Sequence, residues 1–69
     1  MDKIDPAQYL QARALVIQSQ RASLSFLQRN LRIGYGAVAP IMEQLEKDGV
    51  VSAMDHGGVR TVLIPILTP

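Results

Sequence analysis

The sequence has no cysteine and only one histidine, His56, among its 69 residues. Without cysteine there are no disulfide bonds or thiolate metal sites, and one histidine is a poor basis for a zinc site. The longest apolar run, Ala14 to Ile17, is far shorter than the ~18 residues that span a membrane. The start at residues 1–3 lacks the apolar stretch of a secretory signal. We therefore expect a cytoplasmic protein that makes no membrane contact.

Charged residues are also scarce, at 19% of the chain against the roughly 25% that is usual for soluble domains. The hydrophobic share is 48%, and 69 residues are enough for one small domain that buries most of its apolar side chains. No repeat, linker or low-complexity segment divides the sequence. We expect a single domain over 1–69, with its core at about 5–65 and short flexible ends.

Acidic residues are missing from the long stretch between Pro6 and Met42. That stretch carries four arginines and a net charge of +4, whereas the rest of the chain has three basic and six acidic residues. Cationic surfaces attract phosphate, so this asymmetry indicates a nucleic-acid partner even though the formal net charge is only +1. The alternative is that the four arginines are ordinary solvated side chains.

The first part of the chain has the pattern of a helix. Asp5 is a good N-cap, and Pro6 is tolerated at the first helical position. No glycine or proline interrupts the sequence from Ala7 to Leu31. Residues that recur at helical spacing form one face of this helix: Tyr9, Ala12, Leu15, Val16 and Ser19.

A break and a second helix come next. Ser23 or Ser25 can cap the second helix, which we expect to end near Leu31. Residues 32–34 then predict a tight turn, in which Gly34 takes a positive φ at little cost.

A third helix is predicted to run to about Asp48, with Gly49 as its C-cap. Its inward side chains are those of Ile41, Met42 and Leu45. A short helix, a glycine-bearing turn and a further helix are the pattern of a helix-turn-helix.

The periodicity changes after the third helix. Val50–Ser52 and Arg60–Ile64 read as antiparallel strands joined by a turn at Met54–Gly58, and Pro65 ends the second strand. Three helices followed by a two-stranded β-hairpin predict the α+β class and a winged helix. A short extra strand near Ala22–Leu24 can be added to this hairpin.

A family resemblance rests on three runs of sequence: RASLSFLQRNLRIGY (21–35), IMEQLEKDGVVS (41–52) and HGGVRTVLIP (56–65). Together they resemble the gamma domain of FtsK-type DNA translocases. Tyr9 and Ala12 also fall at matching positions, so the similarity covers roughly 7–65. Each short element is weak alone, but the combination is specific.

The resemblance implies a winged helix that binds double-stranded DNA. In that family the domain lies at the C-terminus of a hexameric motor and reads short DNA sequences that orient translocation during chromosome segregation. It also contacts a Xer-type tyrosine recombinase.

The sequence departs from the family pattern at the start of the third helix. The family carries Asn and Arg just after the Gly-Tyr pair, with another Arg three residues later, and these side chains face the major groove. This chain has Gly36, Ala37 and Pro40 at those positions. Arginine reads guanine at roughly 1–3 kcal/mol of discrimination per contact, so we expect altered or lost sequence specificity. Pro40 also removes an early helical hydrogen bond, so we expect a later start of this helix than in the family.

Four arginines are the predicted phosphate contacts on the DNA. Arg21, Arg29 and Arg32 match basic positions of the family and flank the helix-turn-helix, where they would position a duplex. Arg60 lies on the predicted wing. The alternatives are exposed arginines that stabilise helix ends and, for Arg60, a cross-strand surface residue.

A rival function comes from a surplus of apolar residues. A second apolar stripe on the first helix and two residues of the third form a possible protein interface: Leu10, Ala14, Ile17, Val38 and Pro40. A helix that is apolar on two sides needs a second partner. That partner would be a second copy, a recombinase, a motor or the target of a small mobile-element inhibitor. The alternative is that loose packing in a small domain accommodates these apolar residues.

Catalysis has little support in the sequence. Glu43 and Glu46 are three residues apart, but no nucleophile, base or metal ligand accompanies them, so we expect a solvated helix face. His56 fits a turn residue, and Ser23 and Ser25 fit helix caps. We therefore predict a protein that is not an enzyme and has no cofactor, metal or small-molecule substrate.

Overall fold

Three helices make up the regular structure of the chain in a computed structural model that describes residues 4–66. They are α1 (Pro6–Ser19), α2 (Leu24–Leu31) and α3 (Tyr35–Lys47). The flexible ends expected of the sequence lie outside the described residues. No helix within the described range has the length and apolar character needed to cross a membrane.

The start of α1 follows the prediction. The Asp5 side chain accepts a hydrogen bond from the Ala7 N–H at 2.9 Å, and Pro6 is at the first helical position. The helix ends at Gln20, whose φ of 57° places it in the left-handed region. The Gln20 side-chain amide turns back to donate to the Ile17 carbonyl at 2.6 Å.

The start of α2 resolves the choice between two serine caps. Ser23 is the N-cap, and its hydroxyl accepts from the Phe26 N–H at 3.2 Å. Leu24 is therefore the first residue of the helix. The extra strand expected near Ala22–Leu24 is wrong, because the capped helix already uses this segment.

The turn between α2 and α3 differs from the prediction in one respect. Arg32, with φ 54°, is the left-handed residue, whereas Gly34 is extended at φ −81° and ψ 174°. The Ile33 N–H reaches back to the Gln28 carbonyl at 3.2 Å and closes a Schellman motif. Because this closure needs its left-handed residue directly after Leu31, the positive φ falls on Arg32.

Pro40 lies inside α3 and does not delay its start. The Ala37 and Val38 N–H groups both donate to the Gly34 carbonyl at 3.1 Å, so the first turn forms before the proline is reached. Pro40 has no N–H to offer the carbonyl of Gly36, four residues earlier. Gly36 is exposed, so water can reach that carbonyl.

The core lies between the three helices and the chain that follows α3. Its fully buried members are Ala12, Val16, Leu27, Val38, Ile41, Met42, Leu45, Val50 and Val51. The predicted inward positions on α1 and α3 are confirmed, except that Tyr9 and Leu15 are only half-buried and Ser19 is exposed. Burying a large apolar side chain stabilises a fold by about 1.5–3 kcal/mol, so this cluster is the main source of stability.

The end of α3 turns the chain back toward the core. Gly49 follows the C-cap with a φ of +77°, and its N–H donates to the Glu46 carbonyl at 3.1 Å. The Val50 N–H donates to the Leu45 carbonyl at 2.9 Å. This Schellman motif brings Val50 directly from the helix into the core.

Residues 50–63 form a hairpin segment with very little β-structure. Its β pairing, within the described residues, is one antiparallel bridge between Val51 and Val62. Two hydrogen bonds flank the bridge, from the Ser52 N–H to the Thr61 carbonyl and from the Leu63 N–H to the Val50 carbonyl, both at 2.8 Å.

The predicted two-stranded wing and the α+β class are therefore wrong, since residues 4–66 contain three helices and no strand. The ladder stops on one side because the N–H of Val50 is already bonded to the Leu45 carbonyl. It stops on the other side because the Thr61 N–H donates to the Ser52 hydroxyl at 2.9 Å, not to the Ser52 carbonyl. Both competing bonds depend on side-chain or helix-end contacts that apolar periodicity does not encode.

The turn of the hairpin segment is closed by one carboxylate. Asp55 Oδ1 accepts from the Gly57 N–H at 2.8 Å and from the Val59 N–H at 2.9 Å. Gly58 has a φ of +77°, which only glycine adopts without strain. His56 is exposed in this turn, as its sequence context predicted.

Candidate nucleic-acid interface

The helix-turn-helix consists of α2, residues 32–34 and α3. In proteins that use this motif on DNA, the second helix enters the major groove and its N-terminal residues contact the base edges. Base contacts are therefore expected from the N-terminal turn of α3. Phosphate contacts are expected from the arginines on either side of the motif.

Arg29 and Arg32 lie at the end of α2, next to the turn. Both residues are exposed, and Arg29 is in the last helical turn. The single ion pair within residues 4–66 involves neither of them. Their guanidinium groups therefore face water with free N–H donors, as a phosphate contact requires.

Arg21 lies just before α2 and is held over an aromatic ring. Its Cζ atom is 5.5 Å from the centroid of the Phe26 ring, within the range of a cation–π contact. The residue is exposed, and its backbone N–H donates to the Ser19 hydroxyl at 3.2 Å. Stacking on Phe26 restricts the side chain while its edge donors stay accessible.

Arg60 is in a different environment from the other three arginines. Its Nη1 atom donates to Glu46 Oε1 at 2.6 Å and to the Ser52 carbonyl at 3.0 Å. The Arg60 side chain is only 13% exposed, against 42% for Glu46. Glu46 is thus exposed, as expected, and also forms an ion pair that the sequence did not reveal. The signal in the sequence was the turn at 55–58, which brings residue 60 back beside residue 52 and the end of α3.

A groove of about 650 Å³ separates the connection between α1 and α2 from the hairpin segment. Arg21 and Ser25 line one side, and Met54, Val59 and Arg60 line the other. The side chains of Met54 and Val59 are each 58% exposed, so the groove is open to solvent. The structure thus places Arg21 and Arg60 at one groove, and within residues 4–66 the ion pair involves Arg60 and not Arg21.

The exposed surface of the first turn of α3 has few polar groups. Gly36 and Ala37 are exposed, and Pro40 is half-buried. Tyr35 is 67% exposed and brings the one hydroxyl of this turn. No arginine, lysine, asparagine or glutamine occurs from 35 to 40, so this surface lacks the usual donors for guanine and adenine.

The residues of the predicted protein interface are divided between the surface and the core. Leu10 is 63% exposed, and Ala14, one helical turn later, is also exposed. Ile17 is half-buried and packs against the core, and Pro40 is half-buried. Val38 is fully buried, so it has no surface to offer a partner.

A polar contact that the sequence did not reveal joins α1 to the end of α3. The Tyr9 hydroxyl donates to the Asp48 carboxylate, and the Gln44 side-chain amide donates to the same carboxylate at 3.0 Å. Partial burial and the Asp48 contact raise the pKa of Tyr9 from 10.0 to about 12. The hydrogen bonds from Tyr9 and Gln44 lower the pKa of Asp48, and the nearby positive charge of Arg13 acts in the same direction.

The described residues contain no group of histidine, cysteine, aspartate and glutamate side chains arranged to hold a metal ion. Glu43 is exposed, and Glu46 is used by Arg60. The Ser23 hydroxyl serves as a helix cap. Within the part of the chain that the structure describes, these side chains therefore serve structural contacts or face solvent.

The comparisons with known proteins agree with the resemblance seen in the sequence. The family model of the Ftsk gamma domain matches residues 4–65. The chain is 45% identical over 62 residues to the DNA translocase FtsK of Rickettsia typhi, which covers 90% of this chain and 8% of that protein. It is 46% identical over 61 residues to the DNA translocase FtsK of Caulobacter vibrioides, covering 88% of this chain and 7% of that protein.

A third relative, the DNA translocase FtsK 2 of Neisseria meningitidis, is 45% identical over 58 residues, covering 84% of this chain and 6% of that protein. The chain therefore spans less than a tenth of the length of these curated relatives. The matched region contains the helix-turn-helix, the exposed Arg21, Arg29 and Arg32, and the hairpin segment. Because the family model matches nearly the whole chain, the chain belongs to the FtsK gamma domain family.

Proposed function

We propose that the chain is a double-stranded DNA-binding module that contacts phosphates through Arg21, Arg29 and Arg32. The observation that carries the proposal is the helix-turn-helix of an FtsK gamma domain with exposed arginines on both sides of α2. The match covers at most 8% of the translocases named above, so the proposal concerns DNA binding and not a motor activity.

The proposed contacts are mainly to the DNA backbone. Arginine side chains on phosphates fix the position and orientation of a duplex but do not read its sequence. The exposed part of the first α3 turn has no side chain of the type that reads guanine. We therefore expect weak discrimination between duplex sequences, and the partner is double-stranded DNA as a class.

Arg60 is left out of the proposed phosphate contacts. It was predicted as one of them, but its ion pair with Glu46 and its low exposure favour a role inside the protein. A phosphate would have to replace both the Glu46 carboxylate and the Ser52 carbonyl as acceptors.

The proposal is tested by titration of a labelled duplex at two or more salt concentrations. Each phosphate contact contributes about 0.9 to the slope of log affinity against log salt, so three contacts predict a slope near 3. The Arg29→Ala/Arg32→Ala double variant should lower that slope by about 2 and weaken binding at low salt. Absence of binding by the wild type at low salt would overturn the proposal.

Arg13→Ala is the matched control for the single variants Arg29→Ala and Arg32→Ala, each of which should lower the slope by about 0.9. It removes the same type of side chain and the same charge, but Arg13 is on α1 and acts electrostatically on Asp48, beyond the far end of α3. We expect the slope for Arg13→Ala to stay close to that of the wild type. An equal loss for Arg13→Ala and for each arginine of α2 would indicate a general charge effect without a defined site.

A second candidate function is protein binding through α1. It is favoured by Leu10 and Ala14, which are exposed one turn apart on the same side of the helix. Sedimentation of the wild type and of Leu10→Glu tests self-association directly. A concentration-dependent dimer that Leu10→Glu abolishes would support this function, and a monomer at every concentration would argue against self-association.

A further inference from the structure

We propose that Arg60 is a positioning residue, which sets the place of the hairpin turn relative to α3 and to Arg21. The inference rests on the proposed DNA-binding function. It adds that the contacts of Arg60 keep the groove beside Arg21 in the geometry that binds DNA. Arg60 differs from the proposed phosphate contacts in lying outside the acid-free stretch between Pro6 and Met42, but this does not show what it binds, so the argument depends on its contacts.

The first step of the argument is the environment of the guanidinium group. One nitrogen, Nη1, bonds both to Glu46 Oε1 at 2.6 Å and to the Ser52 carbonyl at 3.0 Å. The first acceptor belongs to α3, and the second belongs to the opposite side of the hairpin segment. Arg60 therefore joins three parts of the chain: α3, residue 52 and its own side of the hairpin.

The second step is how few contacts hold the part of the hairpin segment beyond the bridge, since Val50 and Val51 are buried in the core but residues 53–59 are all exposed. Its β pairing amounts to the Val51–Val62 bridge, with flanking hydrogen bonds that start at the Ser52 and Leu63 N–H groups. Beyond that bridge, toward the turn, Arg60 is the side chain that reaches from the returning half of the hairpin to a helix. An isolated hairpin with so little pairing is marginally stable in water, so an added contact to a helix has a large effect on its position.

The third step concerns charge at the groove. The Glu46 carboxylate, if unpaired, would leave a negative charge beside Arg60, which lines the same groove as Arg21. The ion pair with Arg60 neutralises that charge. Because the Arg60 side chain is only 13% exposed, little water competes with Glu46 for its N–H donors. Removal of Arg60 would then both loosen the turn and expose a repulsive carboxylate.

The groove connects this arrangement to binding. Arg60 and its neighbours Gly58 and Val59 line one side, and Arg21 lines the other. The width of the groove therefore depends on where the turn lies. A duplex backbone that contacts Arg21 would meet the turn at a fixed distance only while the Arg60–Glu46 pair is intact.

The test compares Arg60→Gln, Glu46→Gln and the double variant in two measurements. Amide hydrogen exchange of the free protein reports the hairpin, and we expect faster exchange at the Ser52 and Leu63 N–H groups in all three variants. Duplex titration should show that Arg60→Gln binds at least about threefold more weakly than the wild type. Its salt slope should be unchanged, because no phosphate contact is lost. The double variant should be no weaker than Arg60→Gln alone.

Arg60→Lys is the conservative variant that separates position from charge. Lysine keeps the positive charge, but its freely rotating ammonium group does not hold two N–H donors in the fixed plane from which Arg60 Nη1 reaches both acceptors. We expect partial recovery of the amide protection and of the affinity relative to Arg60→Gln.

Two results would overturn the inference. One is a salt slope that falls by about 0.9 in Arg60→Gln with unchanged amide exchange, since that is the behaviour of a phosphate ligand. The other is unchanged exchange and affinity in both single variants. If the wild type binds no duplex, the proposed function fails by itself, and the exchange measurement still decides whether Arg60 positions the turn.

Discussion

The helix-turn-helix and the hairpin segment are built by different means. In the first, local caps and a shared apolar core fix every element, from Ser23 at the start of α2 to Leu27, Val38 and Leu45 in the interior. In the second, order depends on side chains that bond to backbone, such as Asp55 in the turn. The comparison teaches that one small domain can combine a packed helical unit with a hairpin whose turn is held by a few side-chain contacts.

The largest expected effect is on stability and tests the buried core of the helix-turn-helix. Leu27→Ala removes a fully buried side chain from α2, and we expect it to lower the free energy of unfolding by about 2–5 kcal/mol. Leu63→Ala in the hairpin segment is the control, since Leu63 is 55% exposed and should cost less than about 0.5 kcal/mol. Denaturant unfolding measures both. Equal losses would contradict the division into a packed and a weakly packed region.

The next effect is on the hairpin turn. Gly58→Ala forces a side chain onto a φ of +77°, and we expect a loss of about 1–2 kcal/mol from backbone strain alone, since an added Cβ meets no atom within 4 Å. Gly57→Ala is the matched control, because its Cβ would make only an ordinary contact at 3.5 Å with Asp55 Oδ1. Thermal unfolding of the two variants should separate them clearly. A loss in Gly57→Ala as large as in Gly58→Ala would refute the strain argument.

A smaller effect separates stability from DNA binding. Arg32 is a left-handed residue without being glycine, so Arg32→Gly should raise the stability by up to about 1 kcal/mol. The same change removes a proposed phosphate contact and should weaken duplex binding with a lower salt slope. Opposite signs in thermal unfolding and in titration are the expected outcome. Arg32→Ala, which keeps the strain, should weaken binding without the gain in stability.

The smallest effect is a pH dependence from the contact between α1 and the end of α3. The pKa of Tyr9 is raised to about 12 in the folded protein, so its contribution is fully present below pH 10.0 and is lost as the pH rises toward 12. The pKa of Asp48 is lowered, so its contribution is present at neutral pH and is lost as the pH falls through the folded value. Tyr9→Phe should therefore unfold at a slightly lower temperature than the wild type at pH 7.

The difference between wild type and Tyr9→Phe should shrink at both pH extremes, which thermal unfolding from acid to alkaline pH measures. Tyr35→Phe is the control, because Tyr35 is 67% exposed. A difference that is constant across pH would contradict the assigned contact.

The sequence predicted the helices well and the hairpin poorly, for physical reasons. Asp5, Pro6 and Gly49 act on their immediate neighbours, so their effect can be read from residue type and spacing. The Ser52 hydroxyl and the Arg60 guanidinium act on atoms many residues away, and each replaces a bond that a regular strand would make. No periodicity reports such a replacement.

The same distinction applies to the candidate site. Charge asymmetry and family motifs point to Arg21, Arg29 and Arg32, and the predicted wing points to Arg60, so the sequence predicts all four as phosphate contacts. Burial and partners separated Arg60 from the rest. In the same way, Val38 looked like a surface residue from its place among the DNA-reading positions, and only the packing of α3 against α1 and α2 showed that it faces the core.

Two chemically different contacts attach the hairpin segment to the helices. One lies just after its last residue, and the other lies near its turn. The Gln20 amide, already bonded to the last turn of α1, also donates to the Ile64 carbonyl at 3.0 Å. This contact carries no net charge, so neither ionic strength nor protonation weakens it directly, whereas the Arg60 contact near the turn is ionic. Any loosening by salt would therefore start at the turn, where the ion pair lies, and not at the contact with residue 64.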